Sequence, residues 1–367
     1  MRLPLILFAF LWLLAGPVLA QGGDAMLYEV SDVSADVTAD SAAHARDQAI
    51  AEAQRTALEQ LLSRLGADSS LAGEADDDTI AALVKNFEVQ NERTSSVRYI
   101  GVFTVHFRPA ATREWLERSG TAYTETRSRP ILILPIYMSS GHPVLWEEHT
   151  RWWSAWENAR GASLVPVMLP SGGLDDIALL STEEAASGDA ESVKALIEKY
   201  QAGGAAVVTL NGDIENPGAP YKITVKRFDT EGNSGIPTYL NLPAAADKAA
   251  IDNALAQAVR QSHNVLENSW RQVVARSTQS PAEHLPVVVP IDSLDEWTSI
   301  KRKLNNVRSI ERVNVITLAR GTTNIEIEFR GGIEPLQGEL EQHGLTLVQD
   351  MANGVWTLQT ALSETPL

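Results

Sequence analysis

The chain has 367 residues, a formal net charge of −17 and no cysteine. The lack of thiols excludes disulfide bonds and thiolate metal sites, so the stability of the fold must come from packed cores. The negative charge argues against nucleic acid and anionic lipid as partners, because broad electrostatic attraction to either needs a basic surface.

The first twenty residues, MRLPLILFAFLWLLAGPVLA, have the three parts of a secretory signal peptide. Arg2 is the positive residue, an apolar run follows from Leu3 to Leu14, and the small Ala20 precedes the expected cleavage site. The run is too short to span a membrane, and no other stretch approaches the roughly 20 apolar residues of a transmembrane helix. We therefore expect cleavage after residues 1–20 and a periplasmic protein without a transmembrane segment. An uncleaved anchor is the alternative.

Residues 21–120 predict a small α+β domain. A strand is predicted from Met26 to Val37, and the helix predicted from Ser41 to Leu65 has apolar residues at every fourth position and Gly66 after its end. The elements predicted next are a short helix over 78–87, one long or bent strand over 89–109 and a helix over 111–119. The second half of that long strand has one apolar face: Tyr99, Gly101, Phe103, Val105 and Phe107.

Residues 121–130, TAYTETRSRP, are polar, lack periodicity and end in proline, which predicts a linker. Residues 131–278 then alternate apolar strands with helices. The strands are ILILPIYM, LVPVMLP and AAVVTL, and their alternation with helices predicts a central α/β domain with a parallel core. Two added antiparallel strands, near 221–228 and 237–242, and a long helix over 244–276 complete this domain.

Residues 279–367 predict a third domain with the ferredoxin-like order βαββαβ. Its hairpin turns at Arg320, its second helix stops at Gly344, and a last strand or pair of strands follows. Trp297 and Trp356 follow core spacing. The predicted fold is therefore three small domains of α/β and α+β class, the middle one a mixed sheet with helices and the last one ferredoxin-like.

The segment LWEEHTRWWSAWENARG, residues 145–161, contains four of the nine tryptophans. On one long helix its apolar side chains fall within an arc of about 120°, the width of a core-facing side. We therefore interpret the tryptophans as core and not as a ligand platform. A ring edge of Trp146 or Trp152, at the borders of the arc, is expected to stay exposed, so these two are candidate contacts for a ligand or partner.

A second candidate site is the stretch GGLDDIA, residues 172–178. It follows the carboxyl end of a predicted parallel strand, where ligands collect in open α/β sheets. Asp175 and Asp176 are therefore the polar candidates for ligand or partner contact. The alternative, which we favour, is that one of them caps the following helix and offsets its dipole.

The sequence contains no nucleophile elbow, P-loop, dinucleotide-binding fingerprint or zinc-protease motif. Of the histidines, His142 and His149 lie near each other, but Glu148 would not share their face, so we predict no metal site. We also predict no catalytic residue and no cofactor. The expected protein is not an enzyme.

Several stretches resemble one family. They are DVTADSAAHARDQAIAEAQRTALEQLLSRL, RPILILPIYM and LWEEHTRWWSAWENARG with LVPVMLPSGGLDD, and they are similar to the proteobacterial exported proteins grouped as the domain of unknown function 2066. The resemblance covers most of the chain up to the third domain. It implies a location in the cell envelope, and it implies no activity or catalytic residue.

Two further resemblances concern the fold. The first strand and the helix with Ala45, Arg46 and Ala49 resemble the amino-terminal domain of flagellar assembly protein T. The central domain resembles the small α/β domain of the Tol-system propeller protein and of the curli secretion lipoprotein. These proteins dock or assemble in the envelope without catalysis, so the resemblance implies a similar role. The curli protein carries a lipid on cysteine, which this chain lacks.

The leading hypothesis is a non-catalytic periplasmic protein whose domains dock with a protein partner in the cell envelope. The alternative is a periplasmic protein that binds a small molecule or glycan through the central domain, at a concave site with convergent polar groups and exposed aromatic rings. An envelope hydrolase is the third hypothesis, and paired carboxylates in a cleft would be its sign. The sequence does not indicate an oligomeric state.

Overall fold

The computed structural model describes residues 26–147, 149–159, 163–277, 281–319, 321–350 and 354–360. Its strands form three separate sheets of three, six and five strands, which is a mixed α/β architecture of several small units. The expected signal peptide, residues 1–20, lies outside the described residues, and so does Arg320, where the hairpin of the third domain was predicted to turn. Within the described part of the chain, no helix is both long enough and apolar enough to cross a membrane.

The first sheet is antiparallel, with the strand order β1-β3-β2. Its elements are β1 (Glu29–Thr38), α1 (Ala42–Leu65), α2 (Leu71–Glu74), α3 (Asp77–Leu83), β2 (Val84–Thr94), β3 (Arg98–Phe107) and α4 (Pro109–Ser119). As predicted, α1 begins after Ser41, whose side chain accepts a hydrogen bond from the backbone N–H of His44, and ends at Gly66 in the left-handed conformation. Its repeated alanines, fully buried, let the helix lie close to the sheet.

The strand predicted over 89–109 is instead a hairpin of β2 and β3. The turn lies at Ser95, whose backbone N–H donates to the carbonyl of Arg98 at 2.8 Å. The apolar face predicted for the second half is confirmed, because Tyr99, Phe103 and the other members of that face are buried on β3.

The central sheet has the order β5-β4-β7-β8-β9, with β6 paired to β4. Its elements are β4 (Ile131–Ser139), β5 (His142–Val144), α5 (Arg151–Glu157), β6 (Val167–Met168), α6 (Leu174–Leu179), α7 (Thr182–Ser187), α8 (Ala190–Tyr200), β7 (Ala205–Asn211), β8 (Tyr221–Phe228), β9 (Thr238–Leu242) and α9 (Ile251–Ser277). The strands β4, β6 and β7 are parallel, and β8 and β9 are antiparallel additions, as predicted. Helices cover both faces of β4, so its first six residues are all buried.

The third sheet has the order β11-β12-β10-β14-β13. Its elements are β10 (Glu283–Ile291), α10 (Leu294–Leu304), β11 (Ile310–Ala319), β12 (Gly321–Phe329), α11 (Ile333–Gln342), β13 (Leu345–Gln349) and β14 (Trp356–Thr360). The order βαββα is as predicted. The end is a pair of strands, and β14 runs parallel to β10 and separates it from β13, so the sheet has a fifth strand beyond the four of βαββαβ.

Buried apolar side chains are continuous between the first and central regions. One cluster extends from the first sheet and α1 to α5 and α9, while the third region has a core of its own that includes Trp297. A third cluster fills the opposite face of the central sheet. The first two regions therefore share a core, and the third is joined to them by other contacts.

Residues 121–130, which we name the junction segment, provide many of those contacts. They contain no helix or strand. The carboxylate of Glu125, 8% exposed, accepts hydrogen bonds from Tyr28, from Arg113 at 2.7 Å and from Arg308 at 2.9 Å. Tyr28 and Arg113 belong to the first region and Arg308 to the third, so this buried carboxylate connects the two.

The junction segment also contacts α9 and α11. Trp270 of α9 donates its indole N–H to the carbonyl of Thr126 at 2.7 Å, and the hydroxyl of Thr126 donates to Glu339 of α11 at 3.1 Å. Arg129 pairs with Glu341 at 2.9 Å. The residues predicted as a linker thus connect all three regions through partly buried polar contacts.

A glycine permits the close approach of α11. A Cβ atom at Gly338 would lie 2.0 Å from the carbonyl oxygen of Arg127 in the junction segment.

Arg227 of β8 pairs with Glu334 of α11, which supplies a further polar contact between the central and third regions. Burial raises the pKa of Glu334 and of Glu341 above the ordinary value of 4.5, although Arg227 and Arg129 favour their charged forms.

Candidate ligand cleft

An open cleft of about 710 Å³ lies beside the tryptophan segment. One wall is formed by residues between Leu145 and Asn158, and the other by the loop from Leu169 to Gly172. The first wall follows β5, which is antiparallel to β4, and the second follows the carboxyl end of β6, which is parallel to β4. The second wall therefore has the position, after a parallel strand, where ligands collect in α/β folds.

The tryptophan helix is shorter than predicted, since α5 begins at Arg151. Before it, the carboxylate of Glu147 accepts the backbone N–H groups of Leu145 and Trp146, both at 3.1 Å, so these groups are satisfied outside a helix. Thr150 then caps the helix by accepting the N–H of Trp153 at 3.1 Å. As a result Trp146 lies on an irregular segment that can turn into the cleft.

The interpretation of the tryptophans as core is confirmed for the three on α5. Trp152, Trp153 and Trp156 are 0%, 7% and 3% exposed. The expectation that Trp152 could offer an exposed ring edge is wrong, because its ring is buried in the core against the central sheet and donates to the carbonyl of Val208 in β7 at 3.2 Å. Trp146 is half-buried and lines the cleft.

Aromatic and acidic groups meet on the first wall. The ring centroids of Trp146 and Trp153 are 6.1 Å apart, and those of His149 and Trp153 are 6.0 Å apart. Glu157 accepts a hydrogen bond from the indole N–H of Trp153 at 3.3 Å and lies 2.9 Å from Nε2 of His149. The side chains of His149 and Glu157 are 60% and 45% exposed, so both face solvent in the cleft.

The second wall depends on Asp176, which the structure places inside the protein. Its carboxylate is fully buried and accepts hydrogen bonds from Lys199 at 2.7 Å, from Ser171 at 2.9 Å and from the backbone N–H of Gly172 at 2.8 Å. Tyr200 donates a fourth at 2.8 Å. Asp176 therefore cannot contact a ligand directly, but it fixes the loop that forms the wall.

The charge state of Asp176 follows from those bonds. Burial raises the pKa of its carboxyl, but the donors Lys199, Tyr200, Ser171 and Gly172 together outweigh burial and lower the pKa below the ordinary 3.8. Neither aspartate caps α6 with its side chain; the capping residue is Gly173. Asp175 is exposed in the first turn of α6, as expected for a residue that offsets the helix dipole.

Of the four candidate residues, the structure thus brings one to the cleft. Trp146 lines it, Asp176 supports its wall, Trp152 is in the core, and Asp175 is exposed outside the set of lining residues. Sequence reasoning missed Glu157 because it sought a partner for His149 in Glu148, next to it in sequence. The spacing of eight residues brings Glu157 to His149 because the chain bends at Thr150 before α5.

The arrangement offers the half-buried indole of Trp146 and one solvent-facing carboxylate, that of Glu157. Among the residues that the structure describes, no group of three or more histidine and acidic side chains is placed to hold a metal ion. Ser171 lines the cleft, but its hydroxyl donates to Asp176. Comparisons of the chain with protein families, with curated proteins and with solved structures gave no match.

Proposed function

We propose that the protein is a non-catalytic docking protein of the cell envelope, exported to the periplasm, that presents three connected regions to a protein partner. The observation that carries the proposal is the junction segment, where Glu125 accepts hydrogen bonds from Arg113 and Arg308 of different regions. Regions joined in this way can offer one surface in a defined arrangement, which lowers the ordering cost of binding.

The polar contacts that join the regions favour docking over catalysis. They are charge pairs and hydrogen bonds between regions, and groups paired in this way hold structure in place. The residues that resemble the envelope family lie in the first and central regions, which supports the periplasmic location. The expected signal peptide supports it further.

The cleft favours a second candidate function, the binding of a small molecule or glycan by the central region. It is an open depression whose lining combines aromatic side chains with polar groups, as ligand sites do. Its volume of about 710 Å³ would hold a drug-sized molecule. A soluble ligand captured in the absence of any protein partner would favour this function over docking.

The test is chemical crosslinking in intact cells of the source organism, followed by mass spectrometry on the full chain carrying a carboxy-terminal tag. We expect reproducible crosslinks from the same few surface positions to one envelope protein. A tagged Glu125→Ala variant, in which the regions are loosened, should lose those crosslinks. The matched control is Glu117→Ala, an exposed glutamate of α4.

Two outcomes would contradict the proposal. One is a set of crosslinks that scatters over unrelated proteins and is the same in the Glu125→Ala variant. The other is recovery of the protein in the cytoplasmic fraction with residues 1–20 still attached. Amino-terminal sequencing of the purified protein, which we expect to begin at Gln21, checks the second point directly.

A further inference from the structure

We propose that the cleft beside Trp146 holds a basic side chain, the guanidinium of arginine or the ammonium of lysine, presented by the docked partner. This inference rests on the proposed docking function and names the chemistry that one part of the docking surface recognises. It follows from the aromatic faces, the carboxylate and the charge of the lining residues.

Hydrogen bonds from their N–H groups fix the indole rings of Trp146 and Trp153 before a cation binds. The indole N–H of Trp146 donates to the carbonyl of Leu180 at 2.8 Å, and that of Trp153 donates to Glu157. With their N–H groups bound, both rings are fixed: Trp146 is half-buried and lines the cleft, and Trp153, 7% exposed, packs against it at a centroid distance of 6.1 Å. Tryptophan is the best aromatic partner for a cation, and a ring fixed in advance loses little entropy on binding.

The carboxylate of Glu157 has room for another donor. Two oxygens offer about four acceptor positions, and among the residues that the structure describes its side-chain partners are His149 and Trp153. The side chain is 45% exposed, so a guanidinium or ammonium can reach it from solvent. A cation that contacted both Trp146 and Glu157 would gain from cation–π attraction and from a charge-assisted hydrogen bond.

The charge of the site selects against anions. None of the lining residues that the structure describes is lysine or arginine. The chain as a whole has a net charge of −17, so its field also attracts cations. A phosphate or carboxylate ligand would find no permanently charged partner among the described lining residues, whereas a basic side chain finds a complementary one.

Asp176 is a positioning residue for this site. By accepting from Ser171 Oγ and from the backbone N–H of Gly172, it holds the loop opposite Trp146. A Cβ atom on Gly172 would lie 3.8 Å from the Trp146 ring, so the loop passes close beside that indole. The width of the cleft is therefore set by a buried carboxylate that never meets the ligand.

The experiment uses the full chain without residues 1–20 and three capped tripeptides, Gly-Arg-Gly, Gly-Lys-Gly and Gly-citrulline-Gly. Citrulline keeps the size and planarity of arginine and lacks its charge. Binding is followed by the NMR signals of the indole N–H groups, assigned by single Trp→Phe variants. We expect saturable shifts at Trp146 and Trp153 with the arginine and lysine peptides, and at least about tenfold weaker binding of the citrulline peptide.

Single substitutions test which side chains of the cleft bind the peptide. Glu157→Gln should weaken binding of the arginine peptide about tenfold, and Trp146→Leu should abolish it, whereas Trp146→Phe should retain part of it. The control is Glu52→Gln, which removes the same charge from the exposed side of α1, and should bind as the unmodified protein does. The spectrum of each variant without peptide shows whether it is folded.

The outcomes separate this inference from the docking function. Equal binding of the citrulline and arginine peptides, or binding of a neutral disaccharide such as cellobiose at the same indoles, overturns the basic side chain as the occupant. If the cellular crosslinks to one partner persist unchanged in Glu157→Gln, docking stands and the cleft has no part in it. If arginine binds while no partner is crosslinked, the partner as source of the cation is overturned.

Discussion

The junction segment and the cleft each depend on a glutamate, and the two glutamates differ in how fully they are paired. Glu125 is 8% exposed and is bound by two arginines and a tyrosine, whereas Glu157 is 45% exposed and is near one histidine and one indole N–H. A carboxylate with all its acceptor positions engaged in a buried site stabilises the fold, while one with free capacity facing solvent can take part in binding. The comparison predicts that substitution of Glu125 lowers the stability of the fold, whereas substitution of Glu157 weakens binding and leaves stability nearly unchanged.

The largest effect is expected from Glu125→Ala. Removing this carboxylate leaves Tyr28 and Arg113 without their shared acceptor in a buried position, which should lower the free energy of unfolding by about 3 kcal/mol. Urea unfolding followed by far-ultraviolet circular dichroism measures the change. Glu117→Ala, on the exposed face of α4, should change it by less than about 0.5 kcal/mol. Equal stabilities of the two variants would show that the junction pairing does not stabilise the fold.

The next effect is expected from Gly338→Ala. The added methyl group would meet the backbone carbonyl of Arg127 at 2.0 Å, so α11 must move away from the junction segment, at a cost of about 1–3 kcal/mol. Gly73→Ala, in α2 with no atom within 4 Å of the new methyl group, is the control and should be neutral or slightly stabilising. Hydrogen exchange should show the loss of protection concentrated in the third region, and uniform loss over the chain would contradict this account.

A smaller effect concerns pH, with opposite signs for two carboxylates. Because burial raises the pKa of Glu334 in the folded state, its charge opposes folding, so the stability of the protein relative to Glu334→Gln should increase as the pH falls from 7 towards 4.5. Asp176 has a lowered pKa in the folded state. Its contribution relative to Asp176→Asn should therefore be complete above about pH 3.8, the ordinary value, and should be lost as the pH falls below it.

These trends are measured as the difference in unfolding free energy between the protein and each variant across pH 3–7 (buffers chosen at about equal ionic strength, since salt screens exposed charges). The control for Asp176→Asn is Asp175→Asn, because Asp175 is its exposed neighbour. Parallel pH curves for Glu334→Gln and Asp176→Asn would contradict the opposite directions in which the pKa values of the two carboxyl groups are shifted.

The smallest effect on stability is expected from Glu157→Gln. Its side chain is half-exposed, and glutamine can still accept the hydrogen bond from Trp153, so the unfolding free energy should change by less than about 0.5 kcal/mol. Urea unfolding beside Glu52→Gln, which has the same charge change, checks this. A loss comparable to that of Glu125→Ala would mean that Glu157 is a structural group and not a binding one.

Local patterns in the sequence were sufficient for some of the regular elements of the fold. Alanine periodicity with Ser41 and Gly66 at the ends predicted α1 within one residue, and the alternation of apolar strands with helices predicted the parallel core of the central region. The hairpin of β2 and β3 was missed because its turn at Ser95 contains no glycine, asparagine or aspartate to mark it. The pair of strands at the end of the third region, one of the two alternatives, is a local hairpin. The parallel pairing of β14 with β10 joins distant segments and could not be read from periodicity.

The sequence placed a candidate site in the loop after β6, and residues of this loop form one wall of the cleft. Trp146, a second candidate contact, lines the other wall. The roles of Asp176 and Trp152 could not be read from sequence, because Lys199 and Val208, their partners, lie 23 and 56 residues away. In the sequence alone, a polar residue that will be buried against distant partners cannot be told from one that will be exposed to solvent.

The junction segment has a consequence for the order of folding. Thr126 and Glu339 are 213 residues apart in sequence, Arg129 and Glu341 are 212, and Glu125 and Arg308 are 183. Contacts of such long range form late and slowly, because the entropy of closing a large loop must be lost before the contacts can stabilise the chain. We therefore expect the first and central regions to acquire their shared core before the third region is attached. Until then, Glu125 and Arg129 would lack their partners in the third region, so the incompletely folded chain should be more open to proteases.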